Sequence, residues 1–186
     1  LLSRVDAVNW LANIRGHDLD CTPVTLAFAL FHRENGLIIL ADRQRILPVL
    51  NEHMAVVPLE QFDELLEPLA GCDFMIDPAS LPKALHDVIS HSEVNIVTSP
   101  CPVTKMKAQK NAVELDGFRK AHQIDGVAMA EFLCWLDHAD VTQMRESALA
   151  DKLLSMRAGH PDFISPSFET ISGIGANGAI VHYRAV

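Results

Sequence analysis

No block of Lys and Arg interrupts this chain: 15 basic residues stand against 24 acidic ones, a net charge of −9. The one basic cluster, KMKAQK at residues 105–110, is too short to offset that balance. A nucleic-acid backbone or an anionic membrane is therefore excluded as the main partner. No apolar run approaches the roughly 18 residues needed to cross a bilayer. The opening LLSRVDAVNW puts Arg4 and Asp6 where a signal peptide needs an unbroken apolar core. Four cysteines (Cys21, Cys72, Cys101, Cys134) make no CxxC pair, so reduced thiols in a cytoplasmic protein are expected. They read as small buried hydrophobes, with Cys101, between two prolines, the most exposed. Signatures of catalysis are also missing: no H-E-x-x-H metal motif and no G-x-S-x-G nucleophile turn occur.

What is present is globular in kind. The 49% hydrophobic and 21% charged content suits one medium domain or two small ones with a real core. DAVNWLANI has helical spacing, with Val8, Leu11 and Ala12 on one side and Gly16 as its stop. PVTLAFALFH and LIILAD are apolar runs of strand length around Asn35-Gly36, a hairpin signal of type I′. RQRILPVLNEH reads as a helix that must accommodate Pro48, MAVVP as a strand, and LEQFDELLEPLA as an amphipathic helix. DFMID and EVNIVTS are further strands around a helix in SLPKALHDVIS that starts at Ser80. Such alternation predicts an α/β fold with a mixed sheet. It opens without a leading strand.

SPCPV marks a change of texture, and a domain boundary is placed near Val103. Beyond it lies one long helical pattern, with Asn111 and Glu114 set as a capping pair. Leu115, Phe118, His122, Asp125, Met129, Phe132 and Leu136 share its apolar face. His122 and Asp125 could begin a metal site, but two ligands make none, and local hydrogen bonding is the plainer expectation. A second helix is expected from a Thr142 cap to a Gly159 stop. The remainder, FISPSFETISGIGANGAIVHYRAV, reads as strands punctuated by glycine.

GIGANG has the G-x-G-x-x-G spacing of a dinucleotide fingerprint, which requires a helix directly after it. AIVHY follows instead and reads as a strand, so nucleotide binding is discounted and a tight hairpin expected. That strand presents His182. Taken alone, the imidazole is either a surface residue or the first piece of an active site.

At this point the sequence resembles a known family. SFETISGIGANGAIVHY is similar to the opening of the catalytic domain of the aminopeptidase P family, the Xaa-Pro aminopeptidases of the pita-bread metallopeptidase group. DAVNWLANIRGHDLDCTPV resembles that family's D-E-x-x-W-L-x-N-x-R-G-x-D segment. SPCPVTKMKAQKNAVELDGFRKAH and FLCWL match its later segments in the right order, almost end to end.

The resemblance implies a hydrolase that releases an N-terminal residue preceding proline. Residues 1–103 would be a creatinase-like α/β middle domain, and residues 104–186 the N-terminal part of an α+β pita-bread catalytic domain. Two divalent metal ions, usually manganese, are held in the family by two Asp, one His and two Glu lying beyond the H-Y phrase. The chain is thus expected to be a fragment that binds no metal and has no peptidase activity by itself. His182 takes the place of an active-site histidine that contacts substrate and moves a proton, a task suited to an imidazole. Arg15, in NIRG, belongs to a segment facing the active-site cleft; a substrate contact and a surface salt bridge are both open for it. Proline-containing peptides would be the substrates of the whole enzyme, a cytoplasmic homodimer. A prolidase or creatinase-like hydrolase, or a non-catalytic assembly module on the same scaffold, are the alternatives.

Overall fold

The computed structural model describes residues 1–50 and 54–185, which form two compact units, Leu1–Gln109 and Lys110–Val186. The first unit is mixed α/β. Helix α1 (Val5–Ala12) buries Ala7, Val8, Asn9 and Ala12, while Leu11 is half-buried. The helix stops at Asn13, not Gly16: Asn13 adopts φ 52° and donates its N–H to the carbonyls of Asn9 and Trp10. Asn tolerates the left-handed region well enough to end a helix.

Strands β1 (Phe28–His32) and β2 (Gly36–Leu40) pair antiparallel, with Ala29 opposite Ile39 and Leu30 opposite Ile38. The expected hairpin is there, but its loop has three residues, and of Asn35 and Gly36 only the glycine has positive φ (72°). A three-residue loop closed by a left-handed glycine fits the strand twist as well as a type I′ turn does. Strand β3 (Met54–Val57) then pairs with β2 in parallel, so the sheet is mixed. At the far edge Leu2 exchanges both backbone hydrogen bonds with Ala29 (2.7 and 3.0 Å).

Successive residues of a strand face opposite sides. Ala29, Leu37 and Ile39 therefore join a core with Val8, Ile14, Ile46 and Val103. Leu30 and Leu40 join a second core with Phe62, Leu66, Phe74, Ile76, Leu85 and Ile89. Burial on both faces is why β1 and β2 read as apolar runs.

Between β2 and β3, helix α2 (Arg43–Ile46) passes into a 3-10 turn (Leu47–Val49) at Pro48, and residues 51–53 of the expected helix lie outside the described residues. LEQFDELLEPLA does not form an α-helix. It makes two 3-10 turns, Leu59–Gln61 and Glu67–Leu69. Pro68 has no N–H to donate and its ring opposes an α-helical carbonyl four residues back. Phe62 and Leu66 are buried nonetheless, at 2% exposure each.

Strands β4 (Asp73–Ile76) and β5 (Asn95–Thr98) pair in parallel across helix α3 (Lys83–Ser90), which buries Leu85 and Ile89. Helix α4 (Pro102–Ala108) begins on the PCP sequence, Pro102 occupying its first turn where no N–H is needed. This overturns the expectation for Cys101. Asp77 accepts its backbone N–H (3.0 Å), and the residue is buried in the core with Val103. Cys72 and Cys134 are exposed instead.

In the second unit, helix α5 (Ala112–His138) carries the expected capping box. Asn111 Oδ1 accepts from the N–H of Glu114, and the Asn111 N–H donates to the Glu114 carboxylate, both at 2.9 Å. Helix α6 (Glu146–Arg157) follows. Thr142 is not its cap, because its hydroxyl and N–H both donate to Asp140 (2.6 and 3.1 Å); the N-cap position falls at Arg145. No residue of the expected apolar stripe of α5 is buried, with Leu115 42% and Phe118 52% exposed; the buried residue of the helix, Ala128, lies off that stripe. At 1.5 Å per residue α5 is about 40 Å long and α6 only about 18 Å, so one cannot cover the other.

Candidate functional site

The glycine-rich segment departs most from expectation. Gly175–Ala179 forms a 3-10 helix, and Val181 and His182 lie in a turn; no strand occurs among the described residues of this unit. A strand needs a neighbour to accept its ladder bonds, and within this unit none is present among the described residues. His182 is exposed with φ 55°, a left-handed conformation uncommon outside glycine. Among the described residues its ring has no hydrogen-bond partner.

What fixes the segment is polar. The carboxylate of Glu146, in the first turn of α6, accepts from the backbone N–H of Ile174 (2.6 Å) and from the Asn177 side-chain amide (3.1 and 3.2 Å). The Tyr183 hydroxyl donates to the same carboxylate and accepts from the Asn177 amide (3.0 Å). The tyrosine's hydrogen bond, then the Ile174 N–H, hold the Glu146 carboxyl below the usual range; the same bond pushes the Tyr183 phenol up. Gly173 also permits a close fold: a Cβ there would meet Gly178 Cα at 3.1 Å. Beyond the knot, Arg184 reaches Glu169 at 3.3 Å in an exposed pair.

Arg15 is exposed, and its guanidinium donates to the carbonyls of Ile14 (2.7 Å) and Asn9 (3.4 Å), closing the C-terminal end of α1. It lies in the first unit and His182 in the second. The structure does not gather His122 and Asp125 into one cluster. His122 Nδ1 meets the Phe118 carbonyl (2.9 Å), whereas Asp125 takes a two-point hydrogen bond from Arg157 (2.6 and 3.2 Å) that fastens α5 to α6.

Among the described residues no three His, Cys, Asp or Glu side chains converge as metal ligands do. The donors present therefore do not fit a metal centre, and no chemical step is assigned to one. Glu146 was invisible to sequence reasoning. A single carboxylate among 24 acidic residues carries no pattern, and Asn177 and Tyr183 read as turn and strand residues.

Comparison with known proteins adds a family context. The profile of the Creatinase/Prolidase N-terminal domain matches residues 1–114, and that of metallopeptidase family M24 matches residues 116–186. A probable Xaa-Pro aminopeptidase P of Trichophyton verrucosum is 34% identical over 99% of this chain and 28% of its own length. Xaa-Pro aminopeptidase 1 of Dictyostelium discoideum is 31% identical over 99% of this chain and 30% of its own. The crystal structure of X-prolyl aminopeptidase from Caenorhabditis elegans, described as a cytosolic enzyme with a di-nuclear active site, superposes with a TM-score of 0.76. It is 26% identical, over 97% of this chain and 31% of that one. The chain spans about a third of the length of these relatives.

Proposed function

The chain belongs to the Creatinase/Prolidase N-terminal domain family, and from that premise we propose that it serves in an Xaa-Pro aminopeptidase, hydrolysing the bond between a peptide's first residue and a following proline. One observation carries the reading: aminopeptidase relatives match 99% of the chain, across both of its family segments in order. Residues 1–103 act as the middle, non-catalytic domain, and residues 104–186 open the catalytic domain.

In this reading His182 touches the peptide beside the scissile bond. When that bond breaks, the proline nitrogen must gain a proton, and an imidazole presented to solvent on a tied loop can deliver it. Arg15 takes the substrate side of the first unit. Two divalent ions, manganese first among them, belong to the whole enzyme, their ligands lying outside the residues described. The enzyme works as a cytoplasmic homodimer on proline-containing peptides.

Incubation of the 186-residue chain with Xaa-Pro-Xaa peptides and Mn²⁺ is expected to release nothing, whereas a gene product of the relatives' length releases the first residue. Within that longer protein, His182→Ala lowers kcat by about 10²-fold or more. Turnover by the short chain after removal of contaminating peptidase, or none by the longer one, would overturn the reading.

A further inference from the structure

We propose that Glu146 is a positioning residue: its carboxylate gathers Ile174, Asn177 and Tyr183 into a single knot that holds the 173–183 loop in the conformation presenting His182. The proposal rests on the aminopeptidase reading for what His182 does there, but not for the knot itself.

The geometry argues for a device more specific than loop packing. An ionised carboxylate offers about four acceptor positions, and here three loop residues turn donors to it. Of the two N–H groups of the Asn177 amide, one is shared between the two carboxylate oxygens and the other goes to the Tyr183 oxygen, closing a ring of hydrogen bonds. Bonds to a charged acceptor are shorter and stronger than neutral ones. They fasten the loop at Ile174, at Asn177 and at the residue directly after His182. The histidine's left-handed backbone then has a cause. With Tyr183 drawn inward to Glu146, φ 55° at position 182 leaves the imidazole facing out, exposed while its neighbour is half-buried. A backbone conformation of this kind persists only where its surroundings over-determine it. Apolar packing does not do so, since Ile174, Ile180 and Val181 are 48%, 53% and 81% exposed.

Tyr183 is the chain's one tyrosine, so tyrosinate absorbance reads the knot directly. In the 186-residue chain, Glu146→Gln is expected to bring the raised Tyr183 titration midpoint back toward that of a free phenol. It should also shift the His182 ring resonance, assigned by His182→Asn, toward that of an unstructured histidine, with helical circular dichroism unchanged. Glu169→Gln, which breaks only the exposed pair with Arg184, should move neither signal. In a protein of the relatives' length, Glu146→Gln should lower kcat at least tenfold with KM altered less than threefold, and Glu146→Asp should restore part of the loss.

An unchanged Tyr183 midpoint in Glu146→Gln would overturn the knot. An unchanged kcat despite a shifted midpoint would overturn its positioning role, as would an equal loss in Glu169→Gln. If the longer wild-type protein hydrolyses no Xaa-Pro peptide, the aminopeptidase reading fails, while the Tyr183 and His182 signals still decide whether Glu146 sets the loop.

Discussion

Replacing Asn9 with alanine tests how the first unit is clamped together. Asn9 is 2% exposed, on the inner face of α1. Its amide nitrogen donates to the carbonyls of Val5 (2.9 Å) and Thr25 (2.8 Å), and its oxygen accepts the Thr25 N–H (2.9 Å). Val5 keeps a helical partner in the variant. Thr25, only 4% exposed, loses partners for both its N–H and its carbonyl in a site closed to water. Each orphaned buried group costs about 1–3 kcal/mol, so with two of them the variant should lose about 2–6 kcal/mol. Set against a typical total of about 5–15 kcal/mol, that is a large fraction of stability. Urea unfolding followed by Trp10 fluorescence in a Trp135→Phe background isolates this unit, since the chain has two tryptophans. With a slope of about 2 kcal/mol/M, the midpoint should fall by about 1–3 M at constant slope. Asn9→Asp should not rescue, because its second oxygen would face the two carbonyls that now accept from the amide. A loss below about 0.5 kcal/mol in Asn9→Ala would refute the clamp.

Gly16→Ala should destabilise the same transition by about 1–3 kcal/mol, because its Cβ would stand 2.0 Å from Thr25 Oγ1 and 3.0 Å from the Thr25 nitrogen; an unchanged midpoint would refute that close approach. Gly117→Ala, on the exposed side of α5 with no atom within 4 Å of the new Cβ, should instead stabilise its helix by about 1 kcal/mol, measured by thermal circular dichroism. Asn111→Ala should cost α5 about 1 kcal/mol through loss of the capping box, with Trp135 fluorescence reporting the change. On pH, the lowered Glu146 group contributes stability that is present above the ordinary carboxylate range and lost as pH falls through its depressed folded value. The raised Tyr183 group contributes below the ordinary phenol range and loses it as pH rises through its elevated value. The loop should therefore stay tied through neutrality and loosen at both extremes, and a Tyr183 phenol that ionises at or below about 10 would contradict this.

Much of the first unit was legible because its signals are local and periodic. The hairpin at Gly36, the apolar runs of β1 and β2, and the short strands β3, β4 and β5 each occupy a few residues with their own pattern. The α5 capping box was legible for the same reason. The failures share a cause as well. In LEQFDELLEPLA the apolar spacing was right, since Phe62 and Leu66 are both buried, but Pro68 decided the backbone and 3-10 turns present those side chains instead. At Cys101, flanking prolines suggested exposure, whereas Pro102 opened a helix and Asp77 drew the residue inward. Gly16 looked like a helix stop because glycine serves as one; its actual constraint is Thr25, which no local rule could supply.

The second unit separates two kinds of sequence information. A period of apolar residues states what ought to be covered, and whether a cover exists lies outside the segment that carries the period. The residues named for the stripe of α5 do lie on a helix, yet none of them is buried, and Phe118 stays half-exposed because α6 is too short to reach along α5. Likewise IVHY has the composition of a strand, but among the described residues of the unit no partner strand takes its ladder bonds, so the backbone turns at His182. Polar anchoring obeys a different logic. Glu146 lies far along the chain from Asn177 and Tyr183, and no spacing rule joins them, yet their contacts need no cover and form wherever the groups can meet. A loop pinned in that way keeps its shape without a hydrophobic core beneath it. The same feature that hid Glu146 from the sequence is thus what allows His182 to be held in place on an otherwise thinly packed unit.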